Sequence, residues 1–182
     1  MRSIDAVITW VDGSDEDYKK KIENHLTTST NYKKQYLQAN EIEYCVKSIL
    51  KFAPFVRKIF IVTDSQKPSF SGLEDLIVSN KVKVVDHKEI FKGYEKYLPT
   101  FNIRSIDAVL HRIEDLSEMF VYFNDDVFLI NKIREEDWFV ENKVVLMGKW
   151  AKSYSINPIK VLSGKFKKLF GLRPSFNASQ SK

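Results

Sequence analysis

Residues 4–15 read IDAVITWVDGSD, a short apolar run that leads directly into a polar turn. Several later stretches have the same character, and apolar runs of this length are typical of buried strands. We predict strands at residues 4–11, 58–63, 81–85, 119–123 and 127–130. The segments between these runs then decide the fold class.

Helical patterns lie between the predicted strands. Apolar residues at positions 42, 46, 49, 50 and 53 recur with helical spacing and stop at Pro54. A second set, at positions 106, 109, 110 and 113, follows Asn102, which we expect to cap that helix. A further helix is expected at 15–26. Strands that alternate with helices predict an α/β fold with a mostly parallel, Rossmann-like sheet and flanking helices.

The composition and the charge distribution of the chain exclude several classes of protein function. The chain has 182 residues, 43 % hydrophobic and 13 % aromatic, which suits one domain with a sizeable core. Residues 1–150 carry 22 basic and 24 acidic side chains, whereas residues 151–182 carry seven basic side chains and no acidic one. Because the excess basic charge is confined to the end of the chain, nucleic-acid binding is not expected. The single cysteine, Cys45, excludes a disulfide framework and favours a cytoplasmic compartment.

Polar residues at the strand ends are the candidate functional groups. Ligands of parallel α/β sheets bind outside the carboxyl ends of the strands, and four strands that end in aspartates would crowd acidic groups there. A divalent cation would relieve the repulsion, and carboxylate oxygens suit Mg²⁺ or Mn²⁺. The Asp125-Asp126 doublet is the strongest candidate, since a turn needs only one such residue. Asp86 is expected to be structural, and Asp12-Gly13 fits a tight turn equally well.

The histidines and arginines indicate a functional site less strongly than the aspartates do. His87 and His111 are candidate acid–base groups, although a lone histidine is more often structural. Arg104 and Arg112 follow Asn102 on the same predicted helix, where guanidinium groups suit a diphosphate, and a solvated helix face explains them equally well. The chain lacks both Gly-x-x-x-x-Gly-Lys-Ser/Thr and Gly-x-Gly-x-x-Gly, which argues against a P-loop nucleotidase and a dinucleotide dehydrogenase.

Many separate blocks resemble the Stealth family of sugar-1-phosphate transferases, which includes bacterial capsular polysaccharide phosphotransferases and an animal N-acetylglucosamine-1-phosphotransferase. Residues 4–15 look like the family's first conserved region, and its second is matched in order by residues 40–49, 53–66, 98–102, 106–118 and 120–128. Ile103 and Asp107 depart from the pattern, which usually has Ser and Glu there. Two further conserved regions have no clear match in residues 131–182, so we expect a truncated copy.

The resemblance implies a nucleotide-sugar transferase-like fold and a specific reaction. A sugar-1-phosphate would pass from a nucleotide sugar, with a UDP-sugar as the expected donor, to a sugar hydroxyl during capsular or exopolysaccharide synthesis. The implied site has Asp125 and Asp126 as ligands of Mg²⁺ or Mn²⁺, Asp12, Asn124, Asp126 and His111 as catalytic residues, and Trp10, Gly13, Asp64, Asn102, Arg104 and Arg112 as substrate-binding residues. Two alternatives stay open: a metal-dependent glycosyltransferase, and a non-catalytic remnant that binds a nucleotide sugar or a partner.

The end of the chain is expected to differ from its body. We predict one domain over residues 1–150 and a basic, partly amphipathic tail over 151–182, in which residues 158–170 form a short helix. That helix would contact either an anionic membrane surface, at the inner face of a membrane, or the missing C-terminal half of the protein.

Overall fold

A computed structural model describes residues 3–25 and 39–148 of the chain. The regular elements are β1 (Ile4–Thr9), α1 (Glu16–His25), α2 (Glu41–Phe52), β2 (Ile59–Thr63), α3 (Leu73–Val78), β3 (Val82–Asp86), α4 (His87–Ile90), α5 (Ile103–Asp107), β4 (Met119–Asn124), β5 (Phe139–Val140) and β6 (Lys143–Val144). Short 3₁₀ turns lie at Glu95–Tyr97, Leu110–Arg112 and Glu135–Asp137. The alternation of strands and helices confirms the predicted α/β class.

Strands β1 to β4 form one parallel sheet in the order β3-β2-β1-β4. Thr9, the last residue of β1, pairs with Val62 of β2 on one side and with Asn124 of β4 on the other. The polar segments that come after the strands therefore meet at one edge of the sheet, as predicted. Because the chain runs from β1 to β2 and later returns to the opposite side of β1, the switch point of the sheet lies between β1 and β4.

Strand β1 is buried on both faces. All six of its residues are buried. Ala6 and Ile8 belong to a core cluster with Ile49 of α2, whereas Val7 belongs to a second cluster with Phe60 and with residues from α4 and α5. This double burial explains why the run is continuously apolar rather than alternating.

Asp5 is the one charged residue of β1, and the fold surrounds it with donors. Its side chain has no exposed surface. The carboxylate accepts hydrogen bonds from Nε and Nη2 of Arg57, at 3.0 and 2.7 Å, and from the backbone N–H groups of Lys58 and Ser117, at 3.1 and 2.7 Å. These contacts join the amino ends of β1, β2 and β4.

The predicted strand at 127–130 is wrong. This segment instead runs along α2. The N–H of Leu129 donates to Oγ of Ser48 at 3.0 Å, and just after the segment the N–H of Ile133 donates to the carbonyl of Phe52 at 2.8 Å. The helix supplies hydrogen-bond acceptors that a neighbouring strand would otherwise provide.

The continuous helix predicted after Asn102 is also wrong. Helix α5 ends at Asp107, and the chain tightens into the 3₁₀ turn at Leu110–Arg112. The turn keeps Leu110 and Ile113 buried in the same cluster as Ile106. It also lets Arg112 reach back to the carbonyl of Lys92, to which Nη2 donates at 2.6 Å.

The described residues up to Val145 belong to one compact unit. The predicted tail at 151–182, with its helix at 158–170, lies outside the described residues, so it stays a prediction. Among the residues described, no helix combines the length and apolar character that crossing a bilayer requires.

Candidate active site

A cavity of about 180 Å³ opens at the carboxyl ends of β1 and β4. Its polar lining consists of Thr9, His87, Thr100, Asn124 and Asp125, and its apolar lining of Trp10, Val11, Tyr18, Val62, Phe101, Ile103 and Ile106. This position is the switch point of the sheet, where open α/β sheets bind their ligands. A mostly apolar wall with a few convergent polar groups is typical of a small-molecule site.

The turn after β1 is organised by Asp12. Its Oδ1 accepts hydrogen bonds from the N–H and the Oγ of Ser14, at 2.7 and 2.6 Å. Gln66, which comes after β2, holds the backbone of Asp12 at both ends: Asp12 N–H donates to Oε1 at 2.8 Å, and Nε2 donates to the carbonyl of Asp12 at 2.9 Å. Asp12 and Gly13 therefore shape the loop beside the cavity and are not among its lining residues.

The aromatic wall of the cavity is positioned by the next acidic residue. Oδ1 of Asp15 accepts the N–H of Tyr18 at 2.7 Å at the start of α1, in the manner of a helix cap. The buried Tyr18 ring meets Phe101 edge to face, with ring centroids 5.8 Å apart. This contact joins α1 to the segment that precedes α5.

Asn124 is oriented by a neighbour on the same face of β4. The Tyr122 hydroxyl donates to Oδ1 of Asn124 at 3.0 Å and lies 2.8 Å from Oγ1 of Thr9. Burial raises the pKa of Tyr122; the Thr9 hydrogen bond lowers it, and the Asp107 and Asp125 carboxylates raise it, so the phenol keeps its proton. Within the described part of the chain, the Nδ2 group of Asn124 has no hydrogen-bond partner and remains a donor for a ligand.

The Asp125-Asp126 turn rests on α2. The carbonyl of Asn124 accepts the N–H of Val127 at 3.1 Å and the thiol of Cys45 at 3.7 Å. Burial raises the pKa of Cys45 to about 12, and the charges of Asp125 and Asp126 raise it as well. The thiol is therefore a neutral hydrogen-bond donor beneath the turn. Asp125 lines the cavity and is half-buried, whereas Asp126 is exposed.

The predicted crowding of strand-end carboxylates is wrong. Asp64 pairs with Lys21 of α1 at 3.1 Å. Asp86 accepts the N–H of Lys88 at 2.8 Å and caps α4, which is the structural role expected for it. Across residues 3–25 and 39–148, no group of three or more His, Cys, Asp or Glu side chains is arranged to hold a metal ion. Of the four strand ends, only that of β4 places a carboxylate in the cavity.

The two candidate histidines lie in different surroundings. His87 is 2 % exposed and lines the cavity, whereas His111 is exposed and lies outside it. Burial lowers the pKa of His87, and the opposing effect of the Asp64 and Asp86 carboxylates is smaller, so the imidazole is neutral near pH 7. Its Nδ1 atom is buried and has no hydrogen-bond partner among the described residues.

The predicted substrate-binding residues Asn102, Arg104 and Arg112 are not among the residues that line the cavity. Asn102 caps α5, as predicted, and its Oδ1 accepts the N–H of Arg104 at 3.1 Å. Both side chains are exposed. Arg112 stacks on Tyr94, with its guanidinium carbon 4.9 Å from the ring centroid.

Some of the residues predicted from the sequence do line the cavity: they are Trp10, Asn124, Asp125 and the candidate acid–base group His87. Sequence reasoning missed Thr9, Tyr18 and Thr100 as lining residues. It also missed Tyr122, although strand alternation places positions 122 and 124 on the same face of β4.

Known proteins are similar to this chain over the residues that form the sheet and the cavity. Residues 2–24 match Stealth protein conserved region 1, and residues 35–147 match conserved region 2. A capsular polysaccharide phosphotransferase of Haemophilus influenzae is 43 % identical over 145 residues, which are 76 % of this chain and 38 % of that protein. One from Actinobacillus pleuropneumoniae is 41 % identical over 149 residues, or 78 % of this chain and 40 % of that protein. A receptor polysaccharide phosphotransferase of Streptococcus oralis is 40 % identical over 148 residues, which are 78 % of this chain and 43 % of that protein. The chain thus spans about two-fifths of the length of these curated relatives.

Proposed function

The chain belongs to the Stealth family, and from this membership we propose that it takes part in transferring a sugar-1-phosphate from a nucleotide sugar to a saccharide hydroxyl. The proposed donor is a UDP-sugar, and the product is a phosphodiester in a capsular or exopolysaccharide. The observation that carries the proposal is the cavity at the switch point, lined by Asn124 and Asp125 from the end of β4. The names of the relatives, which are polysaccharide phosphotransferases, support it.

The reaction determines what the site must do. The acceptor oxygen attacks the phosphorus next to the sugar, the bond from that phosphorus to the bridging oxygen breaks, and the nucleoside monophosphate leaves. The proton of the acceptor hydroxyl passes to a base. Negative charge develops on the phosphoryl oxygens and on the leaving phosphate, so positioned donors and cations supply most of the catalysis.

The residues of the cavity suit these tasks. The Nδ2 group of Asn124 is held by Tyr122 so that it can donate to a phosphate oxygen. The rings of Trp10 and Tyr18 exclude water from the bound donor. The proton-accepting role falls to His87 rather than to His111, because the neutral imidazole of His87 lines the cavity.

Asp125 and Asp126 suit a Mg²⁺ or Mn²⁺ ion that binds together with the donor. Two adjacent carboxylates are too few for a cage made of protein ligands alone, but Mg²⁺ is commonly held by one or two carboxylates plus substrate phosphates. Bound there, the ion would neutralise charge on the diphosphate. Cys45 and α2 would keep the two carboxylates in place beneath it.

Calorimetry with UDP and Mn²⁺ tests the binding part of the proposal. We expect Asp126→Ala to weaken metal-dependent UDP binding by roughly tenfold or more, since an ionised ligand is lost. Glu136→Ala is the matched control, because Glu136 is an exposed acidic residue outside the cavity. Unchanged binding by Asp126→Ala would remove this carboxylate from the site.

Product analysis tests the reaction. The full chain is incubated with a set of UDP-sugars and oligosaccharides, and the products are identified by mass spectrometry. A phosphodiester with released UMP supports the proposal. A glycoside with released UDP would instead identify a metal-dependent glycosyltransferase, and metal-dependent binding without turnover would identify a binding remnant.

A further inference from the structure

A second cavity, of about 380 Å³, lies next to the first. It is lined by Phe91, Tyr94, Tyr97, Thr100, Ser105 and Val109. Thr100 lines both cavities, so a ligand in the second would be adjacent to a ligand in the first. None of these six residues, within the described part of the chain, carries a charge.

Two tyrosine rings form an exposed aromatic surface in this cavity. Tyr94 is 51 % exposed and Tyr97 is 58 % exposed. Their ring centroids are 6.5 Å apart and the ring planes are inclined by 31°. Large aromatic side chains left open to solvent in a concave site indicate a ligand that covers them.

A basic side chain lies over one face of each ring, which leaves the other face for a ligand. The ammonium group of Lys96 lies 5.0 Å from the centroid of Tyr97, and the guanidinium group of Arg112 lies 4.9 Å from that of Tyr94. Arg112 is itself fixed, because its Nη2 donates to the carbonyl of Lys92 at 2.6 Å. The N–H of Tyr97 donates to the carbonyl of Tyr94 at 3.0 Å. A surface organised in this way loses little entropy on binding.

The lining has the chemistry that suits a sugar ring. The face of an aromatic ring is negative and attracts the C–H hydrogens of a pyranose. The hydroxyl groups of Thr100 and Ser105 can exchange hydrogen bonds with those of a sugar. We propose that the second cavity binds a sugar ring of the saccharide acceptor, with Tyr94 and Tyr97 as the stacking surface and Arg112 as a positioning residue. The identity of the ligand as the acceptor rests on the proposed function.

Tyrosine-specific NMR tests this assignment site by site. The chain has eight tyrosines, so ¹⁹F spectra of the full chain labelled with 3-fluorotyrosine can be assigned with single Tyr→Phe variants. We expect the Tyr94 and Tyr97 resonances to shift with at least one of chitotriose, maltotriose and isomaltotriose. Tyr18 reports on the first cavity and should shift with UDP. Tyr44 is 63 % exposed and lines neither cavity, so it should shift with none of these.

Variants test which residues carry the binding. Tyr94→Ala and Tyr97→Ala should each weaken saccharide binding roughly tenfold, whereas Tyr44→Ala should leave it unchanged. Arg112→Lys keeps the charge but loses the planar guanidinium, so saccharide binding should weaken while UDP binding does not. An unchanged Tyr18 resonance shows that each variant is folded.

The inference is overturned if none of the three saccharides moves the Tyr94 or Tyr97 resonance, or if saccharide affinity survives Tyr94→Ala. It is also overturned if UDP competes with the saccharides for Tyr94 and Tyr97, since the cavity would then hold the nucleobase. Failure of the proposed function would give a different result. The saccharides would still shift the Tyr94 and Tyr97 resonances, but product analysis would detect no released UMP. Release of UMP with unperturbed Tyr94 and Tyr97 would reject this inference alone.

Discussion

The hydroxyl of Tyr122 donates a hydrogen bond to Oδ1 of Asn124 across 3.0 Å, and this contact determines which end of the Asn124 amide is free for a ligand. The two residues are neighbours on one face of β4. Thr9, which pairs with Asn124 across the sheet, places its Oγ1 2.8 Å from the same hydroxyl. The register between β1 and β4 therefore sets the orientation of a candidate catalytic group.

Tyr122→Phe removes this hydroxyl and keeps the ring. We expect turnover of a UDP-sugar to fall roughly tenfold to a hundredfold, because a misdirected donor stabilises the developing charge less well. The free energy of unfolding should fall by about 1–3 kcal/mol, because the hydroxyl makes one hydrogen bond to Asn124 and one to Thr9. Kinetics and urea unfolding measure the two effects, and Tyr44→Phe is the control. A variant with full turnover would show that Tyr122 does not position Asn124.

His87 should make stability depend on pH. Its pKa is lowered in the fold by burial, so the unfolded chain binds more protons than the folded chain between the folded pKa and about 6.5, the unfolded value. The free energy of unfolding should therefore decrease as the pH falls below about 6.5, by at most about 1.4 kcal/mol per pH unit for one proton.

Urea unfolding between pH 7.5 and pH 5 measures this dependence. His87→Gln should flatten the profile over that interval relative to the unmodified chain. His111→Gln, which changes an exposed histidine, should leave the slope unaltered. Equal slopes for all three proteins would mean that His87 titrates in the fold as it does in the unfolded chain.

Ser48 should hold the turn that carries Asp125 and Asp126. Its hydroxyl donates to the carbonyl of Cys45 at 2.8 Å and accepts the N–H of Leu129 at 3.0 Å. Ser48→Ala leaves that N–H without its partner, which should cost about 1–3 kcal/mol. Hydrogen exchange of the Leu129 amide should become faster, and metal-dependent UDP binding should weaken.

Ser79→Ala provides a matched control, because the Ser79 hydroxyl also donates to a carbonyl three residues earlier but is exposed at the end of α3. It should change neither exchange at Leu129 nor UDP binding. If Ser48→Ala behaves like Ser79→Ala, α2 does not support the turn.

Asp5 should stabilise the edge of the sheet at the amino ends of the strands, opposite the cavity. Asp5→Ala removes the acceptor of the Nε group of Arg57 and of the backbone N–H groups of Lys58 and Ser117, and we expect a loss of about 3–5 kcal/mol in the free energy of unfolding. Asp115→Ala removes a second carboxylate that contacts the same Arg57, at 3.1 Å, but is 52 % exposed. This exposed pair should contribute far less to stability than the buried one, because solvent screens it. Comparable losses in the two variants would contradict a special role for the buried carboxylate.

The positions of the four sheet strands, and of the polar residues at their carboxyl ends, can be read from the amino-acid sequence alone. The runs ending near Thr9, Thr63, Asp86 and Asn124 are apolar because both faces of a parallel sheet are covered, and that requirement is visible in any short window of residues. The segment at 127–130 is as apolar as a strand, yet it is not one. Leu129 within it donates to Ser48, and Ile133 just beyond it donates to Phe52, and both acceptors lie far away in the sequence.

The choice of polar residues that reach the cavity, in contrast, depends on the three-dimensional packing. Asp64 and Asp125 come after their strands in the same way, but Asp64 pairs with Lys21 from α1, whereas Asp125 lines the cavity. His87 and His111 are likewise indistinguishable until the fold buries one and exposes the other. The difference arises because burial of a strand is a local property of the chain, whereas the partner of a polar side chain is selected by distance in space.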